Sequence, residues 1–228
     1  MSRNVGTTRL FFRSVFRRQK PPNLMSPMLA KAAITALAKG FAAIVSITLT
    51  AALARVLGAD GAGLFFLGLA LLMSLSVVFR LGLDDLVLRA MGAECLSVTS
   101  QSKLNTGLIW IVLATVPFSL ITFLLADAIS LMIFGKPEFA VVLKYCMLAL
   151  PTTSLLILLA SAFQGLHRVV AVVVFQNLGV SVIFLTLFAL LFILNPHSAT
   201  AEAAAAIYLL ASVLVLVFGL WLWFRQPQ

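Results

Sequence analysis

Long apolar stretches, separated by short groups of charged, glycine and proline residues, run through almost the whole chain. An α-helix needs about 20 mainly apolar residues to cross the hydrocarbon core of a bilayer. Stretches of that length recur here without the alternation typical of half-buried strands. The pattern predicts an all-α membrane bundle of about six transmembrane helices, over residues 32–54, 61–83, 104–126, 142–166, 169–194 and 203–224.

The connections between these predicted helices contain residues that end helices. Gly58, Gly61 and Gly63 permit a tight reversal between the first and second helices. The connection at 165–168 is so short that we expect the fourth and fifth helices to be antiparallel neighbours.

The Lys and Arg residues are distributed unevenly between the two sides that this pattern defines. With a cytoplasmic amino terminus, thirteen of the sixteen lie inside, and only Arg55, Lys136 and Lys144 lie outside. Cytoplasmic loops of membrane proteins carry such an excess of positive charge. We therefore expect a multi-pass protein of the inner cell membrane with both termini in the cytoplasm.

The chain divides into a basic tail, residues 1–28, and a transmembrane domain, residues 29–225. In the tail, Arg9, Arg13 and Arg17 recur at a spacing of four, beside an apolar stripe that contains two phenylalanines. This spacing fits a helix lying in the membrane interface, and a disordered tail that only sets the topology fits equally well. Because much of the net charge of +9 lies in this tail, membrane lipids rather than nucleic acid are the expected partner.

The composition excludes an ordinary soluble enzyme, since 62% of the residues are hydrophobic and 10% are charged. The sequence contains no glycine-rich phosphate loop, no zinc-protease motif and no nucleophile elbow. Asp84 and Asp85 form the only carboxylate pair and lack a second acidic cluster for magnesium. Cys95 and Cys146 have no partner at metal-ligand spacing. We expect no enzymatic activity, no metal and no cofactor.

Ionisable residues in or near a bilayer are costly and are therefore candidates for function. Lys39, Arg80 and Arg89 fall on the same predicted side of the membrane. Together they suit a phosphate or pyrophosphate headgroup, to which Arg offers a two-pronged donor and Lys a point charge. In the competing interpretation each side chain extends to lipid phosphate and marks only a helix end.

Two further groups of residues lie within the predicted spans. Gln176 and Asn177 either form a hydrogen-bonding wall for a hydroxylated cargo such as a sugar, or join neighbouring helices. Pro117 and Pro151 each remove a backbone hydrogen bond, and the resulting kinks serve gating in some bundles and occur in static ones too.

Three segments resemble the flippases of polysaccharide biosynthesis, in the multidrug/oligosaccharidyl-lipid/polysaccharide exporter superfamily. Residues 54–65 (ARVLGADGAGLF) resemble the turn after the first helix of that family, and residues 81–89 (LGLDDLVLR) its segment after the second helix. Residues 163–168 (FQGLHR) are similar to its turn between the fourth and fifth helices, and Lys39-Gly40 matches early in the first helix.

This resemblance implies a carrier that moves a polyprenyl-linked oligosaccharide, such as a lipopolysaccharide O-antigen precursor, between leaflets by alternating access of two helical lobes. It implies that Lys39 and Arg80 face the central cavity and engage the pyrophosphate. Six helices correspond to one lobe, so we expect a homodimer, a second membrane chain that supplies another lobe, or a truncated product. A non-transporting assembly or scaffold subunit, and a small-molecule exporter of the same superfamily, are the alternative functions.

Overall fold

The computed structural model describes residues 25–94, 98–166, 172, 175, 178–195 and 200–225. Every long regular element in these segments is helical. The basic tail lies outside the described residues as far as residue 24. The helices are α1 (Met25–Arg80), α2 (Leu83–Glu94), α3 (Val98–Phe134), α4 (Phe139–Leu148), α5 (Leu150–Gly165), α6 (Gly179–Leu194) and α7 (Ala201–Phe224).

Four helical stretches are long and apolar enough to cross a membrane, counted over the part of the chain that the structure describes. They are Lys39–Arg80, Thr99–Phe134, Phe139–Gly165 and Ala201–Phe224, and the shorter Gly179–Leu194 is also apolar. The protein is therefore an all-α, multi-pass membrane protein, as the hydrophobic pattern predicts.

Helix α1 contains a sharp corner at Gly58, where φ is 72°. Residues with a side chain rarely adopt this backbone conformation, which glycine adopts readily. Ser46 and Met73 line the same cavity, although a straight helix would separate them by about 40 Å at 1.5 Å per residue. The first arm of α1 (25–57) and its second arm (59–80) therefore fold back on one another at Gly58.

Local hydrogen bonds stabilise the end of α3 and the beginning of α7. Helix α3 stops at Gly135, whose φ is 63°, and the N–H of Lys136 then donates to the carbonyl of Ser130. This arrangement satisfies a carbonyl that the last turn of a helix leaves unpaired. Helix α7 starts after Thr200, whose side chain accepts a hydrogen bond from the N–H of Ala203.

The stretch formed by α4 and α5 is interrupted at Ala149, and Pro151 lies in the first turn of α5. Because Pro151 has no N–H, it cannot donate to the carbonyl of Met147, four residues earlier. The hydroxyl of Ser119, on α3, donates to that carbonyl at 2.6 Å instead. The other predicted kink residue, Pro117, lies inside α3, which continues through it.

Glycines permit the closest approaches between helices. A Cβ atom added to Gly165, at the end of α5, would lie 2.6 Å from the Cβ of Met91 and 2.7 Å from the carbonyl oxygen of Leu88, both on α2. A Cβ atom added to Gly68 or to Gly219 would also lie less than 3 Å from a side-chain atom of another helix. Helix α2 is thereby held against α5, which brings together two of the segments that carry the family resemblance.

Candidate functional site

A cavity of about 500 Å³ lies between both arms of α1, α5, α6 and α7. This volume is within the range of pockets that hold small molecules or parts of larger ones. Aromatic rings form part of its wall, with Phe65 stacked on Phe184 at 5.6 Å between ring centroids. The hydroxyl-bearing and charged residues of the wall are Ser46, Thr50, Arg80, Thr153, Ser181 and Tyr208.

Arg80 is the cation in this wall, and its side chain is 9% exposed. It occupies the last turn of α1, where a positive charge interacts favourably with the helix dipole. Its Nε donates to the carbonyl of Ser76 at 3.0 Å, and its Nη1 donates to a carboxylate oxygen of Asp84. The buried guanidinium is therefore neutralised by a neighbour four residues along the chain.

The turn between α1 and α2 produces this ion pair. Leu81 and Gly82 both have positive φ, 47° and 77°. Two successive residues in this conformation reverse the chain and return Asp84, in the first turn of α2, towards Arg80. Carboxylates are favourable in the first turn of a helix, so the dipoles of both helices support the pair.

A second contact holds the helix that carries Arg80. The hydroxyl of Ser154, on α5, donates to that of Ser76 at 3.1 Å, and both residues are fully buried. Arg80 therefore lies between an ion pair on one side and a backbone carbonyl on the other, in a helix fixed against α5. The second oxygen of Asp84, Oδ1, is buried and accepts no hydrogen bond from the described residues.

This arrangement suits recognition of an anion that also carries hydroxyl groups. A guanidinium that is largely withdrawn from water binds phosphate oxygens with short, charge-assisted hydrogen bonds. The surrounding Ser, Thr and Tyr hydroxyls both donate and accept. In this structure, Asp84 occupies an edge of the guanidinium at which a phosphate would otherwise bind.

The predicted site residues lie in different parts of the structure. Arg80 lines the cavity, whereas Arg89 is exposed and lines a separate groove. Lys39 is exposed and is not among the residues that line either space. Lys39 lies 19 residues before Gly58, and Arg80 lies 22 residues after it. The hairpin therefore places both residues at a similar distance from its corner. Gln176 and Asn177 lie outside the described residues.

Sequence reasoning missed two partners of Arg80, Asp84 and Ser76, and also Ser154, which contacts Ser76. Asp84 stands only four residues after Arg80, but the two residues belong to different helices, so the pairing rule for a single helix does not predict their contact. Ser76 stands four residues before Arg80 on the same helix. Ser154 is 78 positions from Ser76, and no local pattern links the two.

The fold and the cavity define a class: a multi-pass helical membrane protein with an internal cavity that combines hydroxyl groups, aromatic rings and one buried cation. The sequence profile of the polysaccharide biosynthesis protein family matches residues 28–226. Because this match covers most of the chain, the protein belongs to that family, and the resemblance seen in the sequence motifs is confirmed. No curated protein and no solved structure gives a significant match.

Proposed function

We propose that the protein takes part in moving a lipid-linked oligosaccharide or polysaccharide precursor across the inner membrane, in the manner of a flippase. The observation that carries this proposal is the buried Arg80 in the wall of a hydroxyl-rich cavity within an apolar helical bundle. Membership of a polysaccharide biosynthesis family supports the choice of a sugar-containing cargo. The same membership favours a transporter over an enzyme.

In this proposal the cavity binds the part of the cargo where phosphate joins sugar. Arg80 binds the phosphate or pyrophosphate in place of Asp84, and hydroxyls such as those of Thr50 and Ser181 bind the sugar. Lys39 supplies a second cation at a similar depth. Gln176 and Asn177, which lie outside the described residues, are retained from the sequence as candidate hydrogen-bonding partners of the sugar.

We also propose that the bundle forms one lobe of a two-lobed transporter. The two arms of α1, then α3, α4 with α5, α6 and α7, provide six crossings and leave both termini in the cytoplasm. The first arm of α1 exposes many apolar side chains, among them Phe41 and Ile47, and offers a face to a second lobe. A second copy or another membrane chain supplies that lobe.

The test replaces Arg80 and measures translocation of a polyprenyl-pyrophosphate-linked sugar in proteoliposomes that contain the full chain. R80Q is expected to lower the rate at least about tenfold, because a charge-assisted bond contributes about 1.5–3 kcal/mol. R80K is expected to retain part of the rate. R55Q is the matched control, since Arg55 is an exposed arginine of the same helix.

Protein abundance and thermal stability are measured for each variant, so that a folding defect is separated from a binding defect. The double variant R80Q/D84N removes the charge pair without leaving a buried charge alone, and it is expected to fold yet to transport as poorly as R80Q. A wild-type translocation rate in a stable R80Q protein would contradict the proposal and would favour the scaffold function.

A further inference from the structure

A second recess lies outside the cavity, where α2 meets the beginning of α3. It is a shallow groove of about 640 Å³. Leu86, Ala90 and Ala93 form its apolar part, and Arg89 and Lys103 are its cations, together with the carboxylate of Asp85. The groove has no lining residue in common with the cavity that contains Arg80.

The groove belongs to the helix with the clearest division into apolar and polar faces. Val87 and Met91 of α2 are fully buried against α3 and α5, whereas Asp85, Leu86 and Arg89 are exposed. With 12 residues, α2 is about 18 Å long and too short to span a bilayer. It joins the ends of two long apolar helices, so it lies at the membrane surface, as amphipathic interfacial helices do.

The groove is held in one shape by contacts on its buried side. Gly165 allows α5 to approach the backbone of α2 at Leu88 closely. The ion pair between Arg80 and Asp84 fixes the first turn of α2 to the end of α1. Because α2 is fixed at two points, a ligand of the groove meets a preformed surface.

The charges of the groove favour an anion. Arg89 makes no hydrogen bond or ion pair with any side chain that the structure describes, and this includes Asp85 at the i,i+4 position. Asp84, the other acidic residue of the first turn, is paired with Arg80. Among the described residues of the groove, the guanidinium of Arg89 is therefore available to a ligand.

The apolar side chains beside these cations indicate that the ligand is also a lipid. Leu81, in the turn that precedes α2, is 84% exposed, and Leu86 within the groove is 50% exposed. At the boundary of a bilayer such side chains contact acyl chains while nearby cations reach the phosphates. A soluble phosphate would gain nothing from these leucines.

We propose that this groove binds the headgroup of an anionic phospholipid, with Arg89 as the phosphate ligand. Leu86 packs against the first carbons of the acyl chains. The planar guanidinium forms two parallel hydrogen bonds to the phosphate, which a zwitterionic lipid weakens by bringing its own cation. The site is independent of the transport cavity and does not rest on the proposed cargo.

The experiment uses the purified full chain in nanodiscs of equimolar phosphatidylglycerol and phosphatidylcholine. Native mass spectrometry then measures how much of each lipid stays bound. Wild-type protein is expected to retain phosphatidylglycerol preferentially. R89Q is expected to lower this preference about fivefold, the effect typical of one cation near an anionic lipid surface. R89K is expected to lower it less than R89Q.

R55Q and K136Q serve as controls, because both remove an exposed cation elsewhere on the chain. Both are expected to retain phosphatidylglycerol as the wild type does. An unchanged preference in R89Q, or equal losses in R89Q and R55Q, would overturn the proposal. Competition by soluble glycerol phosphate at the same concentration as the lipid would also overturn it, since the ligand would then be a phosphate rather than a lipid.

Discussion

Helix α3 and the stretch formed by α4 and α5 are both apolar enough to cross a membrane, but they differ sharply in burial. In an apolar 18-residue segment of α3, 22% of the residues are buried inside the protein. In the corresponding segment of α4 and α5, 72% are buried. Helix α3 exposes large side chains such as Leu113 and Leu124. Hydrophobicity therefore marks a helix as membrane-spanning and does not tell whether it is central or peripheral.

Buried hydroxylated residues occur in both stretches, but in the central one they lie close together, within positions 152–161 of α5. Thr152, Thr153, Ser154 and Ser161 of α5 are all buried. Lipid tails are as apolar as leucine, so apolar side chains gain little by leaving lipid for a neighbouring helix. Close packing and hydrogen bonds between helices decide instead which helices lie at the centre. Four experiments, taken from the largest expected effect to the smallest, test how these contacts hold the helices.

The substitution G165A is expected to lower the free energy of unfolding by about 3 kcal/mol. The added methyl group would lie 2.7 Å from the carbonyl oxygen of Leu88, a backbone atom that cannot rotate away. Chemical unfolding of the detergent-solubilised protein measures the change. G63A is the control, because no atom lies within 4 Å of a Cβ added there. If both variants lose the same stability, close approach at Gly165 does not hold α2 against α5.

The substitution D84N is expected to lower the free energy of unfolding by about 2 kcal/mol. It leaves the guanidinium of Arg80 buried without its counter-ion, and the loss is smaller than for a fully buried pair because Asp84 is 30% exposed. The same unfolding measurement applies. The double variant R80Q/D84N is expected to regain part of the loss, and a double variant less stable than D84N would contradict this account.

The substitution S119A is expected to lower the free energy of unfolding by about 1 kcal/mol. It removes the hydroxyl that donates to the carbonyl of Met147, which Pro151 has left without its helical partner. In a P151A background the amide of residue 151 can donate to that carbonyl, so S119A should then cost much less. An equal cost in both backgrounds would show that Ser119 acts by packing alone.

The ion pair between Lys144 of α4 and Asp127, near the carboxyl end of α3, should contribute least to the free energy of unfolding. The Nζ of Lys144 donates to both carboxylate oxygens, at 2.9 and 2.8 Å, but Asp127 is 71% exposed. A double-mutant cycle with K144Q and D127N is expected to give a coupling of about 0.5 kcal/mol. A coupling above that of S119A with P151A would mean that the exposed ion pair holds α3 against the central stretch more firmly than the buried hydrogen bond of Ser119 does.

The membrane-spanning helices were predictable because apolar length is a local property of the sequence. The reversal at Gly58 was predictable for a similar reason, since glycine permits a conformation that other residues resist. The early start of α4 at Phe139 and the separation of α4 from α5 at Ala149 depend on contacts with other helices. Those contacts, such as that of Ser119 with Met147, join distant parts of the sequence.

The candidate site was only partly predictable. Arg80 stood out as a cation near a helix end, but its pairing with Asp84 requires Leu81 to adopt a positive φ, which leucine rarely does. The separation of Arg89 from Arg80 into different recesses depends on the direction in which α2 leaves that turn. Sequence spacing places the two arginines nine residues apart and does not give that direction.

The corner at Gly58 has a consequence for how the protein enters the membrane during synthesis. The two arms of α1 are joined through a single non-helical residue. No flexible loop separates them, so one arm cannot be placed in the membrane independently of the other. Arg55 and Asp60, one on each side of the corner, lie together at the tip of the hairpin and therefore on the same side of the membrane. We therefore expect the two arms of α1 to enter the membrane as one hairpin, with both charges at its tip.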